Sequence, residues 1–178
     1  MPEDRFYLQR IKEGNQTAFR SFMGVYSKDL YYFALGYVGI REAAEEIVSD
    51  VFLEVWNNRA CLDEIKRIKS WLLVMVRNKA ISYLRKEYAG GTVSFDELED
   101  YYIPSVQSPD YKIISEEEIR EINRAIASLP PRCKEVFMLA KIENLPYKEI
   151  SQILNISVKT INIHVAKAIE SIARILQK

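Results

Sequence analysis

One histidine and two cysteines, Cys61 and Cys133, with no CxxC pair, leave this chain short of the ligands that a structural zinc site needs. Two thiols so far apart in sequence fit reduced cysteines in a cytosol better than a disulfide framework. Neither a metal nor a cofactor is therefore expected. Net charge is missing as well: 25 basic side chains balance 25 acidic ones, so the total argues neither for nor against a nucleic-acid partner. Long apolar runs are absent, and the longest candidate, Leu30 to Ile40, is too short to cross a bilayer. The opening MPEDRFYLQRIKEG is charged and lacks the apolar stretch of a signal peptide. A soluble, cytoplasmic protein without membrane insertion is the expectation. No nucleophile elbow, P-loop or GxGxxG occurs, which argues against an enzyme.

What the chain does have is helical periodicity and uneven charge. Its 178 residues, 48% of them hydrophobic, suffice for one ordinary domain or two small ones. Residues 1–87 hold 14 basic and 12 acidic side chains, 88–114 hold one and five, and 115–178 hold ten and eight. Two mildly basic blocks thus flank an acidic strip. Gly90-Gly91, Pro104 and Pro109 within that strip mark a flexible connector. The expected architecture is all-α: a domain over 1–87, a linker over 88–114 and a second domain over 115–178.

The clearest local pattern lies between Leu145 and Leu176. Tyr147 to Leu154 places Ile150, Ile153 and Leu154 on one helical side. Asn155-Ile156-Ser157 reads as a turn: Asn tolerates the left-handed conformation, Ile156 is an apolar plug, and Ser157 can cap the next helix with its hydroxyl. That longer helix repeats the apolar spacing through Val158, Ile161, Val165, Ala168 or Ile169, Ile172 and Ile175 or Leu176. Its other face carries Lys159, Asn162, His164 and Lys167, chemistry that suits a DNA groove. A short helix, tight turn and longer helix make the helix-turn-helix layout, in which the start of the second helix enters the major groove. A plain helical hairpin would share the periodicity, but Lys148, Lys159 and Lys167 outnumber the one acid of this region, Glu149.

Upstream, helices are expected over Phe6 to Lys12, Gln16 to about Tyr37, and Arg41 to Asn58. In the last, Ala44, Ile47, Val48, Val51, Phe52 and Val55 form an apolar stripe, while Glu42, Glu45, Glu46, Asp50 and Glu54 offer an acidic face that is either solvated or a docking surface for a basic partner. Asn57 to Arg67 lacks periodicity. Between Lys66 and Lys86 stand seven basic residues and no acid. There Leu72, Leu73, Val76, Ala80, Tyr83 and Leu84 fall on one helical face, and Trp71, Met75, Asn78, Ser82 and Arg85 on the opposite line. Trp71 either caps the core or, beside cations, stacks on an unpaired base. Arg77, inside the apolar arc, is expected to pair with an acid of the preceding helix such as Asp50. Ser115 to Glu118 reads as a capping box for a helix bearing Ile119, Ile122, Ile126 and Leu129. Pro130-Pro131 ends that helix, and another is expected over Arg132 to Glu143.

These motifs resemble a known family. Tyr147, Glu149, Ile150, Leu154, Ile156, Ser157, Thr160, His164 and Ala168 match the C-terminal helix-turn-helix of bacterial sigma factors, which activator-type regulators share; Ser151, Asn155 and Ile161 stand where Ala, Gly and Val are usual. EEIVSDVFLEVWNNR and SWLLVMVRNKAISYLRK resemble region 2 of extracytoplasmic-function sigma factors, with Ser49 for the usual Gln and Ser82 for the usual Asp. Leu129-Pro130-Pro131-Arg132 and Glu135-Val136-Phe137 resemble the opening of sigma region 4. The resemblance implies a promoter-directing subunit. Its partners would be core RNA polymerase, promoter DNA and an anti-sigma factor, and it would be a monomer when free. It implies duplex reading by Ser157, Val158, Lys159, Asn162, Ile163, Ala166 and Lys167. Capture of the melted downstream element would fall to Asn57, Asn58, Lys66, Lys69, Trp71, Asn78, Ser82 and Arg85, and polymerase binding to Arg41, Glu45, Glu46, Ser49, Asp50 and Leu53. The alternative is a dimeric helix-turn-helix regulator that binds duplex DNA without serving the polymerase.

Overall fold

The computed structural model describes residues 2–88 and 116–177, all regular structure among them helical. They fall in two compact units, Met1–Leu84 and Arg85–Lys178. Most of the expected 88–114 connector and Ser115 of the capping box lie outside the described residues. No described helix is long and apolar enough to cross a membrane.

The first unit is built from α1 (Pro2–Lys12), α2 (Gln16–Val38), α3 (Arg41–Asn57), a short 3-10 helix (Arg59–Glu64) and, up to Leu84, α4 (Ile68–Tyr88). Local chemistry sets the boundaries. Asn15 caps α2 by accepting from the Ala18 amide at 2.9 Å. Gly39, at φ 69°, ends it in the left-handed conformation that glycine adopts without a Cβ penalty. Phe22, Leu30 and Phe33 of α2 are fully buried together with Val51 and Val55 of α3 and Leu72, Leu73 and Val76 of α4. Edge-to-face packing of Phe22 on Phe52, with centroids 6.3 Å apart, joins α2 to α3.

Helix α4 departs from the expected one-sided pattern. Met75 and Ile81 are buried along with Leu72, Leu73, Val76, Ala80 and Leu84, so apolar contact surrounds most of the helix. Only Asn78, Ser82, Lys86 and Glu87 are exposed among its described residues. Met75 therefore belongs to the core and not to a polar line. The cation on Asp50 is Lys79, whose Nζ lies 3.6 Å from Asp50 and 3.2 Å from Glu54.

The second unit holds α5 (Glu116–Ala127), α6 (Pro131–Phe137), a π-helical turn (Met138–Ile142), α7 (Tyr147–Leu154) and α8 (Val158–Leu176). The single helix expected over Arg132 to Glu143 changes pitch after Phe137. Glu143 donates to the Met138 carbonyl at 2.9 Å, and Asn144 turns the chain at φ 53°. Val136, Ile150, Ile161, Ala125 and Ala168 are fully buried between these helices. Lys134 is also buried, at 5% exposure, and loss of hydration pulls its ammonium pKa down to about 8.

Both units yield a stability test. Gly24 sits inside α2 with nothing within 4 Å of a Cβ built on it; Gly24→Ala is expected to stabilise the first unit by about 1 kcal/mol, read as a raised thermal midpoint. Below pH 8 Lys134 is charged folded and unfolded, and its burial cost is fully present. Between about 8 and the ordinary 10.5 the unfolded chain binds the extra proton, so stability of the second unit should rise with pH. Lys134→Met should remove that rise and stabilise the unit at pH 7 by an amount on the order of 3 kcal/mol; an unchanged pH profile would contradict the assignment.

Candidate nucleic-acid and protein interfaces

The turn between α7 and α8 is held by four hydrogen bonds. Asn155 adopts φ 53°, ψ 44°, and its amide reaches the Ser151 carbonyl. Ile156 N–H reaches the same carbonyl at 3.3 Å. Ser151 Oγ donates to the Ile156 carbonyl at 2.6 Å, and Ser157 Oγ accepts from the Thr160 amide at 3.0 Å. Ser151, which stands where Ala is usual, closes with its hydroxyl the turn that Asn155 opens.

Beyond that turn α8 divides cleanly. Ile161, Val165 and Ala168 are buried, while Ser157, Val158, Lys159, Asn162, Ile163, Ala166 and Lys167 are all exposed on one polar-to-mixed surface. Val158 leaves the apolar stripe on which periodicity put it and is 42% exposed. His164, which spacing sets among the groove residues and which is expected to be either packed or near phosphate, is packed: it is half-buried, with Nδ1 3.2 Å from the Sγ of buried Cys133 on α6. The histidine therefore ties α8 to its own unit.

On the first unit, Arg41, Glu45, Glu46, Ser49, Asp50 and Leu53 are exposed along α3, and Leu53 is 59% exposed despite its aliphatic side chain. Glu45, Ser49 and Leu53 form one wall of a groove of about 890 Å³ between α3 and α2. Phe19, Met23, Ser27 and Tyr31 of α2 line the other wall at a strict four-residue interval. That row was legible in the sequence and was missed, because the buried row Phe22, Tyr26, Leu30 and Phe33 dominates the periodicity. Burial pushes the Tyr31 hydroxyl above its ordinary pKa. Asp50 faces away, engaged by Lys79.

At the far end of α3 the two tryptophans differ. Trp56 is held on both sides, its ring tilted against Phe19 at 4.9 Å and covered by the Arg59 guanidinium at 4.8 Å, which also donates to the Trp56 carbonyl at 2.8 Å. Trp71, in the first turn of α4, is half-buried, and among the described residues no ring or guanidinium stacks on it. Asn57, Lys66, Asn78 and Ser82 are exposed, and Lys69 pairs with Asp29 at 3.4 Å. Asn58, also exposed, donates to the Glu54 carbonyl at 3.0 Å and serves partly as a helix cap. Arg85 is half-buried with its Nε enclosed and unpartnered among the described residues. Trp71 and Lys69 therefore share the head of α4, whereas Ser82 and Arg85 lie about three to four turns further along it.

Family models for "Sigma-70 region 2" and "Sigma-70, region 4" match residues 22–89 and 119–172. The chain is 32% identical over 134 residues to ECF RNA polymerase sigma factor SigM of Bacillus subtilis (strain 168), covering 75% of this chain and 79% of that protein. It is 26% identical over 177 residues to SigW of the same organism, covering 96% and 95%. Among solved structures, the sigma factor RpoE of Bartonella quintana in complex with the anti-sigma factor NepR is similar at a TM-score of 0.71, with 21% identity over 89% of this chain and 96% of that one. CnrH in complex with the cytosolic domain of CnrY is similar at 0.68, with 18% identity over 98% and 97%.

The turn generates a direct test. Asn155→Gly keeps the left-handed conformation available and should leave the second unit within about 0.5 kcal/mol of its stability. Asn155→Val, forced to positive φ, should cost roughly 1–2 kcal/mol in thermal or denaturant unfolding. Equal effects of the two changes would show that backbone conformation at 155 does not limit the turn.

Proposed function

The chain belongs to the ECF RNA polymerase sigma factors, which direct core RNA polymerase to promoters, and from that premise we propose how its residues divide the work. The exposed edge of α8, from Ser157 to Lys167, reads the upstream element as duplex, with Lys159 and Lys167 supplying cations and Asn162 a base-edge hydrogen bond. The α3 face with Leu53, Glu45 and Ser49, together with the α2 row across the groove, docks the polymerase. Arg41 and Glu46 flank that contact. The head of α4 captures a base of the downstream element once the strands part.

The observation that carries this reading is the state of Trp71. Its ring is left without a stacking partner among the described residues, in a stretch from Lys66 to Lys86 that has no acid. A base stacked there is worth about 1–3 kcal/mol, and the cations beside it hold the phosphates. Asn57, Asn58 and Lys66 edge the same approach. Because holding an already exposed base costs less than exposing one, such contacts favour the open over the closed promoter. Asn78, Ser82 and Arg85, further down α4, would track the strand as it leaves.

Neither the 1–87 nor the 115–178 block carries a large positive excess. Affinity for free DNA should accordingly be weak and salt-sensitive, and productive binding should require the polymerase. The acidic stretch 88–114 would connect the two parts. The protein would act in the cytoplasm as a subunit without catalytic chemistry of its own, monomeric when free. An anti-sigma factor, as in the complexes of its structural neighbours, would cover the α2–α3 groove or the α8 edge and keep it from the polymerase.

Transcription with core polymerase distinguishes the roles. Trp71→Ala should lower initiation from a duplex promoter roughly tenfold and recover most of it on a template with a pre-opened downstream bubble. Leu53→Asp should lose activity on both templates. Equal loss of Trp71→Ala on both templates would remove base capture from Trp71.

A further inference from the structure

The stretch from Lys66 to Lys86 holds no acid of its own, so the carboxylates that meet Lys69 and Lys79 come from other helices. Lys79, well down α4, is met by Asp50 and Glu54 of α3. Lys69, in the same first turn as Trp71, is met from α2: its Nζ donates to Asp29 Oδ2 at 3.4 Å. That contact stands where the strand-capturing head needs a cation. A Lys ammonium has three donors and can reach two anions, so hydrogen-bond geometry does not decide what Asp29 does to a phosphate. Charge does. A phosphate that approaches Lys69 meets a pair of zero net charge instead of a cation.

Two effects of Asp29 oppose each other. Its carboxylate holds the lysine in place, which saves side-chain entropy when a phosphate arrives, and it repels that phosphate. At 3.4 Å the contact is longer than the roughly 2.7–2.9 Å of a charge-assisted hydrogen bond. The two side chains are also 38% and 53% exposed, so the lysine is only loosely ordered. Repulsion acts whatever the rotamer and therefore outweighs the ordering. On the reading of the head of α4 as the strand-capturing site, we propose that Asp29 is a positioning residue of that site, acting through Lys69: it offsets the lysine's charge and so holds down the affinity for a phosphate whose base is not stacked. Exchanging one anion for another at Lys69 gains a strand little, whereas a base laid on Trp71 adds a contact that Asp29 does not oppose. Duplex DNA offers the phosphate alone. An opened strand offers both.

The test is the affinity of the full chain with core polymerase for a labelled template carrying a pre-opened downstream bubble, at physiological ionic strength and above the background of core alone. Asp29→Asn should tighten binding roughly twofold to fivefold, as expected for removal of one exposed partner. Lys69→Met should weaken it. In the Lys69→Met background Asp29→Asn should change little, because without the lysine no phosphate is drawn within the ~8 Å over which exposed charges act. Asp29→Glu keeps the charge and should stay near wild type. Looser or unchanged binding by Asp29→Asn would overturn the proposal, the first by showing that Asp29 prepares Lys69 for phosphate. Equal tightening with and without Lys69 would also overturn it, because Asp29 would then act without the lysine, yet would leave the head of α4 as the capture site. No effect of Lys69→Met or of Trp71→Ala would remove that reading and this proposal together.

Discussion

A helix can offer one edge to a DNA groove while burying the other only if the chain before it reverses in a fixed way, and in this protein that reversal depends on one residue at positive φ. Asn155, at φ 53°, lets its own amide and that of Ile156 return to the Ser151 carbonyl. Ser151 and Ser157 then satisfy the backbone groups on either side of the turn. With that geometry set, Ile161, Val165 and Ala168 enter the core and the intervening positions face outward. The polar edge of α8 is a consequence of the turn as much as of the residues on it.

A second constraint governs the first unit. Apolar residues of α4 are buried on most of its sides, while Lys69, Ser70 and Trp71 of its first turn are half-buried. On the proposed reading, a base stacked on Trp71 would meet a helix anchored in the core of the first unit. Acids of the first unit pair with cations of α4: Asp50 and Glu54 of α3 with Lys79, and Asp29 of α2 with Lys69, and such partly exposed pairs contribute little to stability. Each pair offsets an acid that stands against the basic helix. Glu45, with Ser49 and Leu53, lines the groove on the other side of α3.

Much of this was legible in the sequence where the signal is local. The helix ends at Asn155 and Ser157 reflect turn and capping chemistry that involves neighbours three or four residues apart. What depends on tertiary contact was not legible. Met75 looked polar-facing because a helical wheel assumes one buried side, and α4 has more than one. For His164 spacing left packing and phosphate contact both open, and Cys133, brought across from α6, decides for packing. The change to a π turn after Phe137 comes from where Met138 and Leu139 find partners, which spacing does not encode. The second row of α2 was present in the spacing of Phe19, Met23, Ser27 and Tyr31 but is half-buried, and a periodicity read for full burial passes over it.

The division of labour between a duplex-reading edge and a strand-capturing head is tested most directly by permanganate reactivity of thymines across a promoter, with core polymerase alone, the chain alone, and both together. Unpaired, reactive thymines in the downstream element only when both are present, and bound duplex around the upstream element in the same complex, is the expected result. Opened or tightly protected DNA with the chain alone, or a promoter that stays closed when both are added, would contradict it.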